Sequence, residues 1–567
     1  MHGRQTRHGR RSTIHRRLQK RNRRHMGGHA IKHERTLHSH IKIPGLQPRQ
    51  NLPRTRRIRR NVLHHTTHRH RTSRHRTRTS QQRTTRSRTR KRTKKNHTNT
   101  RRKQPLKMDE GHIKKTLTPK IKQKNNQQKK EQKKEFKAAV GLSRKWNARE
   151  AGREVAINTL NKLGKDNKPD FVLLFSTIHF QDYGGFQELI DGVNEVLPKN
   201  TALIGCTMAG FMTNEGVFTR GVCCLGVSYE NMDFGIGLGK NTKRKPTLAG
   251  KECGKQIHKQ IGVTNYPNKY SFFFPSAAVT PHFPIIGSKR VIRLGNRKLN
   301  NIFSIGVSWV NDFLRQLIQK GMGMEEDILK GFVSELKDFS LIGGASMDDN
   351  KMSSNFQFYN NQVFTNSVVG LGIALDLKGD IKTTYGLKKI HSKPAKVTSK
   401  RSGGYTIHKI NDNSPAEEYL SMTGGNESWF DNRIHRRTFF LPLGYERDGK
   451  LFPQVVAYVM GDDILCGYKV GGSELGIYTS SGISMRKSVR ENLERTKGRS
   501  NKMVFIASCA ARLESLGSKS YVIKKDIEDI IDEIPYLLLF TGGEQTYIPP
   551  EEPNFFYESF NTLVFYS

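Results

Sequence analysis

The sequence predicts an α/β protein of two related lobes, with mixed sheets and antiparallel hairpin additions, preceded by a disordered basic N-terminal tail. Short, continuous apolar runs, typical of strands buried on both faces, alternate with stretches whose apolar residues recur at helical spacing. A pattern in which a buried strand ends in glycine occurs more than once in the chain. This near-repeat indicates that the α/β units are related. Strands that alternate with helices in this way are expected to form sheets covered by helices.

The tail carries most of the charge anomaly of this 567-residue chain, whose formal net charge is +50. Residues 1–107 contain 36 Lys and Arg, one acid (Glu34) and 14 of the 21 histidines. Because this segment has few apolar side chains to bury, burial cannot offset the entropy lost on ordering it. We therefore expect it to be disordered. Three interpretations of this segment stay open. It is an extension upstream of a true start at Met108, a tail that binds the phosphates of nucleic acid, or a targeting segment. A nucleic-acid partner is therefore expected only through residues 1–107, if they are translated.

The rest of the chain has the composition of a folded body. Residues 108–135 are a Lys/Gln-rich linker, and residues 136–567 are rich enough in apolar side chains to bury a core. The longest apolar runs are far shorter than the ~18 residues that span a bilayer. Six cysteines without regular spacing fit free thiols in a reducing compartment. We therefore expect a cytoplasmic protein with no membrane partner.

The elements of the body follow from periodicity, taken in chain order. Ala151, Val155, Ala156 and Leu160 recur at helical spacing within the first predicted helix. The predicted helices are Ala148–Leu163, Phe186–Leu197, Leu248–Ile261, Val310–Lys320 and Glu325–Leu336. The predicted strands are Asp170–Ser176, Ala202–Cys206, Tyr270–Phe274, Phe339–Gly343, Met503–Ser508 and Tyr536–Phe540, with β-rich stretches at Val217–Tyr229 and Asp233–Gly239.

Three of these strands end in small residues that can bring the backbone close to something else. The chain reads ALIGCTMAGF from Ala202, SLIGGASMDD from Ser340 and, as a weaker echo, YLLLFTGGEQ from Tyr536. Glycine after a buried strand allows close approach of a neighbouring strand or of a ligand, and both interpretations stay open. The candidate ligand-binding residues at the three ends are Gly205, Cys206, Thr207, Gly210, Gly343, Gly344, Asp348, Gly542, Gly543 and Glu544.

These same residues resemble the FIST family of intracellular signal-transduction sensor domains. Leu203–Gly210 resembles the first glycine turn of the family and Leu341–Asp349 its second. Farther along, Pro415–Leu420, Phe440–Gly444 and Cys509–Arg512 resemble a helix, a strand and a strand end of its C-terminal half. The resemblance implies a FIST N-terminal domain at 136–384 and a FIST C-terminal domain at 385–567.

The resemblance further implies a non-catalytic sensor that binds a small ligand. Amino acids are the ligands proposed for the family. The signal would pass to a separate downstream protein, because the chain carries no kinase, cyclase or DNA-binding segment. Some bacterial relatives are described as haem-binding nitric-oxide sensors. Such a haem sensor, or a protein associated with nucleic acid through its tail, are the alternative functions.

The polar residues near the strand ends suggest how a ligand would be held. Cys509 and Arg512 follow a buried strand, where ligands bind in α/β sheets, and the Arg512 guanidinium could hold a carboxylate in bidentate fashion. The alternative is a structural ion pair. Asp348 and Glu544 could accept hydrogen bonds from an amine or could cap their own turns.

Other chemistries find no pattern in the sequence. The cysteines contain no C-x₂₋₄-C pair, so no metal site is expected. No single histidine stands out as a haem ligand, so we expect no cofactor. The glycines around Gly237 match no phosphate-binding motif, and no G-x-S-x-G elbow is present. We therefore expect no enzyme activity.

Overall fold

The computed structural model describes residues 135–280, 289–293, 297–390 and 395–567. The predicted tail and all but the last residue of the predicted linker lie outside these residues. The described residues belong to one compact unit, Lys122–Ser567.

Strands are the main elements of the structure. In chain order they are β1 Lys137–Ser143, β2 Phe171–Ser176, β3 Ala202–Thr207, β4 Gly210–Thr213, β5 Gly216–Phe218, β6 Val222–Ser228, β7 Met232–Lys240, β8 Asn268–Pro275, β9 Val291–Ile292, β10 Ser340–Gly344, β11 Gln357–Tyr359, β12 Gln362–Phe364, β13 Ser367–Leu375, β14 Lys378–Tyr385, β15 Leu387–Lys389, β16 Ala395–Arg401, β17 Thr406–Ile410, β18 Leu443–Arg447, β19 Lys450–Gln454, β20 Val456–Met460, β21 Asp463–Cys466, β22 Glu474–Ser480, β23 Asn501–Cys509, β24 Tyr536–Thr541, β25 Glu544–Tyr547, β26 Asn554–Phe556 and β27 Ser559–Tyr566.

Helices connect many of these strands. They are α1 Ala148–Leu163, α2 Gly185–Asn194, α3 Pro246–Ile261, α4 Arg297–Ile318, α5 Glu325–Glu335, α6 Pro415–Thr423, α7 Ile434–Arg437, α8 Gly482–Leu493, α9 Ala510–Leu516 and α10 Ser520–Ile531. Short 3₁₀ helices lie at Ile178–Gln181, Ser402–Gly404, Glu427–Trp429, Glu494–Thr496 and Gly517–Lys519. The structure confirms the predicted α/β class with mixed sheets.

Three six-stranded sheets share one strand order. They run β1-β6-β2-β3-β11-β12, β7-β13-β8-β10-β25-β26 and β14-β27-β23-β24-β4-β5. Each has a parallel pair at its centre, β2–β3, β8–β10 or β23–β24, flanked on one side by a long antiparallel strand and on the other by a two-stranded hairpin. The near-repeat in the sequence therefore corresponds to three related sheets.

The hairpins are exchanged among the three sheets in a cycle. The hairpin β4–β5 follows β3 in sequence but pairs with β24, and β25–β26 follows β24 but pairs with β10. The hairpin β11–β12 follows β10 and pairs with β3. Each sheet is thus completed by a segment of another, which ties the three units together. The domain boundary that the resemblance implies at 384/385 stays a prediction. Three of the four sheets contain strands from both sides of this boundary.

The three sheets enclose one apolar core. Phe175 of β2, Phe274 of β8 and Phe505 of β23 meet there, with ring centroids 5.0 to 6.5 Å apart. The outer faces are covered by helix pairs, α1 with α2, α3 with α5, and α8 with α10. Burial on both faces explains the continuous apolar runs in β2 and β24.

A fourth sheet, β19-β18-β22-β16-β17-β21-β20-β9 with β15 beside β22, has its own apolar cluster. It consists mainly of residues 395–480 and is antiparallel except where β9 pairs with β20. Two side chains next to this sheet, one beside β9 and one in α7, hold a loop at the candidate site described below.

Local signals account for the bounds of the first helix. Asn147 accepts a hydrogen bond from the N–H of Glu150 and begins α1, and Gly164 at φ +98° ends it. The predicted helix at 310–320 is longer than expected, because α4 already begins at Arg297.

Candidate functional site

The three glycine-marked strand ends meet. The N–H of Met347 donates to the carbonyl of Thr207 at 2.9 Å, and the N–H of Ala345 donates to the carbonyl of Gly543 at 2.8 Å. The N–H of Gly542 in turn donates to the carbonyl of Ala345 at 2.9 Å. The ends of β3, β10 and β24 are therefore joined directly by backbone hydrogen bonds.

One of the three ends departs from the repeat. Residues 208–209 join β3 to β4 and residues 542–543 join β24 to β25, whereas residues 345–356 join β10 to β11. We call residues 345–356 the long loop. It has twelve residues, whereas each of the other two turns has two.

A pocket lies beside the long loop. The space within it is about 290 Å³ when the solvent at its open mouth is counted. It is lined by Ala277, Ala278, Met347, Asp348, Met352, Ser354, Asn355, Gly542 and Tyr557. Of the residues that the sequence predicts as ligand contacts, Asp348 and Gly542 lie here.

Three of the predicted glycines serve contacts between strands. A Cβ at Gly205 would lie 1.7 Å from the carbonyl oxygen of Leu174, and one at Gly343 would lie 2.1 Å from that of Phe273. At Gly344 the added atom would meet the side chain of Thr541 at 2.2 Å. Since real Cβ contacts are never so short, these residues allow neighbouring strands to approach closely, and they do not line the pocket.

Gly210 and Gly543 are also closely packed. A Cβ at Gly210 would lie 2.7 Å from the carbonyl oxygen of Phe218. Gly543 adopts φ +128°, which favours glycine, and a Cβ added there would lie 2.4 Å from the ring of Phe555. Both positions are therefore explained by the turns that they make.

Cys206 and Thr207 belong to the core and to the junction. Cys206 is fully buried within the common apolar core, and burial raises the pKa of its thiol. Thr207 donates its N–H to the carbonyl of Phe356 at 3.0 Å and accepts the N–H of Phe356 on its hydroxyl at 3.1 Å. Thr207 thus fixes the end of the long loop.

Asp348 organises the long loop from inside. Its Oδ1 accepts the N–H of Met352 at 2.8 Å, and its Oδ2 accepts the N–H and hydroxyl of Ser353 at 2.6 and 2.7 Å. The side chain is fully buried. The geometry matches the turn-capping alternative for this residue.

The long loop is also held by two side chains next to the fourth sheet. The Arg290 guanidinium donates to the carbonyl of Lys351 at 2.9 Å, and His435 Nε2 donates to the carbonyl of Asn350 at 3.2 Å. Both side chains are buried. A change in the long loop would therefore alter its hydrogen bonds to the residues next to β9 and in α7.

Arg512 lies apart from the pocket lining. Its guanidinium donates to the carbonyl of Met485 at 3.2 Å and to the Ser488 hydroxyl at 3.1 Å, and it lies over the ring of Phe560. It is 2% exposed. Cys509, at the end of β23, is buried too, and burial raises the pKa of its thiol. The bidentate ligand contact stays a prediction. In this arrangement the guanidinium donates its hydrogen bonds to residues of α8.

Glu544 is part of a buried acidic cluster. Its carboxyl accepts hydrogen bonds from the Thr541 hydroxyl at 2.6 Å and the Ser559 hydroxyl at 2.9 Å. Burial raises its pKa to about 8, against the opposing effect of these bonds and of Arg512. Glu558 lies nearby, and burial raises its pKa to about 8 as well. Its carboxyl Oε1 is buried without a hydrogen-bond partner among the described residues.

The raised pKa values of Glu544 and Glu558 predict that the free energy of unfolding falls as pH rises. Each binds a proton in the folded state well above its ordinary pKa of 4.5, so its contribution is present at low pH and is lost towards pH 8. Two histidines have the opposite effect on stability only at lower pH, because desolvation lowers the pKa of the half-buried His179 to about 4 and that of the buried His435 to about 3. Between pH 6.5 and 8 both are neutral in the folded and unfolded states, so they no longer oppose the trend. Urea unfolding over that window should show falling stability in the wild type and a shallower slope in Glu558→Gln. A flat wild-type profile would contradict the assignment.

Sequence reasoning missed several pocket residues. Tyr557 follows Phe555 and Phe556 in the third echo and was not singled out, although an aromatic run beside a glycine-marked end is a usable signal. Asn355 and Met352 carry no local signal, because their position depends on the fold of the long loop. Ala277 follows β8, and such small residues give no indication of function on their own.

Among the described residues, no group of three or more His, Cys, Asp or Glu side chains is arranged to hold a metal ion. Within the same part of the chain, none of the helices is both long and apolar enough to cross a bilayer.

Comparison with solved structures gives only distant similarities. Cyanuric acid hydrolase from A. caulinodans aligns at 6% identity and a TM-score of 0.31, over 76% of this chain and 99% of that one. PurLQS from Thermotoga maritima aligns at 10% identity and a TM-score of 0.16, over 76% and 72%. Scores at this level support no argument about fold or activity. No curated protein matches the chain.

Comparison with protein families gives a definite result. Residues 170–413 match the family described as the FIST N domain. This range contains the first two glycine-marked strand ends and the whole long loop, which are the segments that carry the resemblance in the sequence. The predicted C-terminal FIST domain stays a prediction beyond residue 413. The match confirms, over residues 170–413, the predicted resemblance to the FIST family, a family of signal-transduction sensor domains.

Proposed function

We propose that this protein is a cytoplasmic sensory module that binds a small ligand in the pocket beside the long loop and carries out no catalysis itself. The observation that carries the proposal is the break in the three-fold repeat. Two of the strand ends are closed by short turns, and the third is opened by residues 345–356, which create a lined pocket. An extended loop at converging strand ends is a common way to build a binding site on a rigid scaffold.

The position of the long loop also suggests how binding would be communicated. A ligand that contacts Met347 or Met352 would change the loop that Arg290 and His435 hold from beside the fourth sheet. The surface of the fourth sheet would then differ between the free and bound states. A separate signalling protein is proposed to recognise this difference.

Ligand binding is tested by thermal unfolding of the full chain in the presence of single compounds, starting with the amino acids that the resemblance implies. A ligand at 100 times its Kd should stabilise the folded state by about 2.7 kcal/mol. Gly542→Leu should abolish the shift, because a Cβ there points at Ala277 and Met347 from 3.3 to 3.4 Å and a longer side chain fills the pocket.

The matched control is Gly482→Leu. Position 482 has no atom within 4 Å of an added Cβ and no positive φ. This variant should keep the ligand-induced shift. A shift that persists in Gly542→Leu would place the ligand elsewhere and contradict the proposal.

The haem-sensor and nucleic-acid alternatives stay predictions. The basic tail lies outside the described residues, and no arrangement of described histidines favours haem. A Soret band after purification with haem would support the first alternative. Salt-dependent binding of DNA or RNA that is lost on removal of residues 1–107 would support the second.

A further inference from the structure

We infer that the pocket accepts an uncharged, mainly apolar ligand with one hydrogen-bonding group, and that it discriminates against zwitterions such as free amino acids. The inference rests on the proposed function and names the ligand class of the same site. Met347, Met352, Ala277 and Ala278 supply apolar surface to the lining. Methionine in particular adapts to aromatic and other polarisable groups.

The lining offers no partner for the ammonium group of a zwitterion. Asp348 is the one carboxylate in it, and its two oxygens already accept hydrogen bonds from Met352 and Ser353. A ligand ammonium would have to displace these bonds and undo the turn. Burying a charge without a partner is costly, so this arrangement disfavours amines.

A ligand carboxylate is no better served. The described lining residues include no Lys, Arg or His. Two buried cations are engaged by carbonyls: Arg290 donates to those of Lys351 and Ala457, and Lys243 donates to that of the lining residue Ala277. A carboxylate in the pocket would therefore lose its water without gaining a cation.

One polar group of the lining is left for a ligand. The Tyr557 hydroxyl makes no hydrogen bond with any residue that the structure describes. Ser354 donates its hydroxyl to Gln181, and the Asn355 side chain is engaged by Ser346 and by the carbonyl of Ala277. A phenol can donate to or accept from one group, so it suits a carbonyl, hydroxyl or N–H on an otherwise apolar molecule.

The test compares neutral compounds with zwitterions of the same side chain on the full-length protein. The probes are indole against L-tryptophan and 3-methylbutanamide against L-leucine, measured by ligand-observed NMR titration. We expect each neutral member to bind at least tenfold more tightly than its partner. Gly542→Leu should abolish this binding and Gly482→Leu should keep it.

Tyr557→Phe tests the hydrogen bond without changing the shape of the ring. It should weaken the neutral probes about threefold to tenfold, the range of a single neutral hydrogen bond. Unchanged affinity in Tyr557→Phe would overturn the assignment of the hydroxyl.

The outcomes separate the two proposals. Zwitterions that bind as well as their neutral partners, and lose binding in Gly542→Leu, would overturn the ligand class while supporting the sensory pocket. If neither class binds, the ligand class fails, and if the amino acids also give no thermal shift, the proposed function fails with it.

Discussion

Replacing Lys243 by methionine is expected to lower the free energy of unfolding by about 3–5 kcal/mol at pH 8. The Lys243 side chain is fully buried, and its ammonium donates to the carbonyl of Ala277 at 2.6 Å. It also attracts the buried Glu325, which opposes the upward shift that burial imposes on the pKa of that carboxyl. Without Lys243 the Glu325 carboxylate is left without this compensation.

The loss in Lys243→Met should shrink at pH 5. Because the pKa of Glu325 is raised above its ordinary value, the carboxyl is protonated in the folded state at that pH and no longer needs a cation. Urea unfolding at pH 5 and pH 8 measures both values, and Lys243→Met/Glu325→Gln should recover part of the loss at pH 8. The control is Lys251→Met on the exposed face of α3, expected to change stability by no more than about 0.5 kcal/mol. Equal losses at both pH values would contradict the account.

Gly205→Ala is expected to destabilise the protein by about 3 kcal/mol or more, at the upper end of overpacking effects. Its Cβ would lie 1.7 Å from the carbonyl oxygen of Leu174, so the parallel strands β2 and β3 would have to separate in the centre of their sheet. Urea unfolding, or the soluble yield if the variant fails to fold, measures the effect.

A graded series keeps this prediction testable. Gly482→Ala meets no atom within 4 Å and should be close to neutral, whereas Gly542→Ala meets Ala277 Cβ at 3.3 Å and should be mildly destabilising. Gly205→Ala should be the most destabilising of the three. Any other order would show that close strand contact is not what requires glycine at position 205.

The sequence predicts much of the fold because burial on both faces leaves a clear pattern. The continuous apolar run at Phe171–Phe175 corresponds to β2, and the run at Tyr536–Phe540 to β24. The three glycine-marked ends were identified as equivalent, and the structure brings them together. The cyclic exchange of hairpins was not predictable, since the pairing of β4 with β24 joins segments more than 300 residues apart and leaves no local signal.

The candidate site was predictable only in part. Glycine after a buried strand indicates a close approach, but periodicity cannot distinguish a glycine packed on the Leu174 backbone, such as Gly205, from one that lines the pocket, such as Gly542. The pocket depends on the path of the long loop, which the sequence shows only as a polar stretch. Tyr557 and Ala277 join it from distant parts of the chain, so their proximity is a property of the tertiary structure alone.

The central claim is that the break in the three-fold repeat creates a ligand pocket, and native mass spectrometry of the full chain tests it most directly. Protein purified under gentle conditions should retain a small molecule, and this additional mass should persist in Gly482→Leu and disappear in Gly542→Leu. Protein without any retained mass, or a mass retained equally in Gly542→Leu, would contradict the claim.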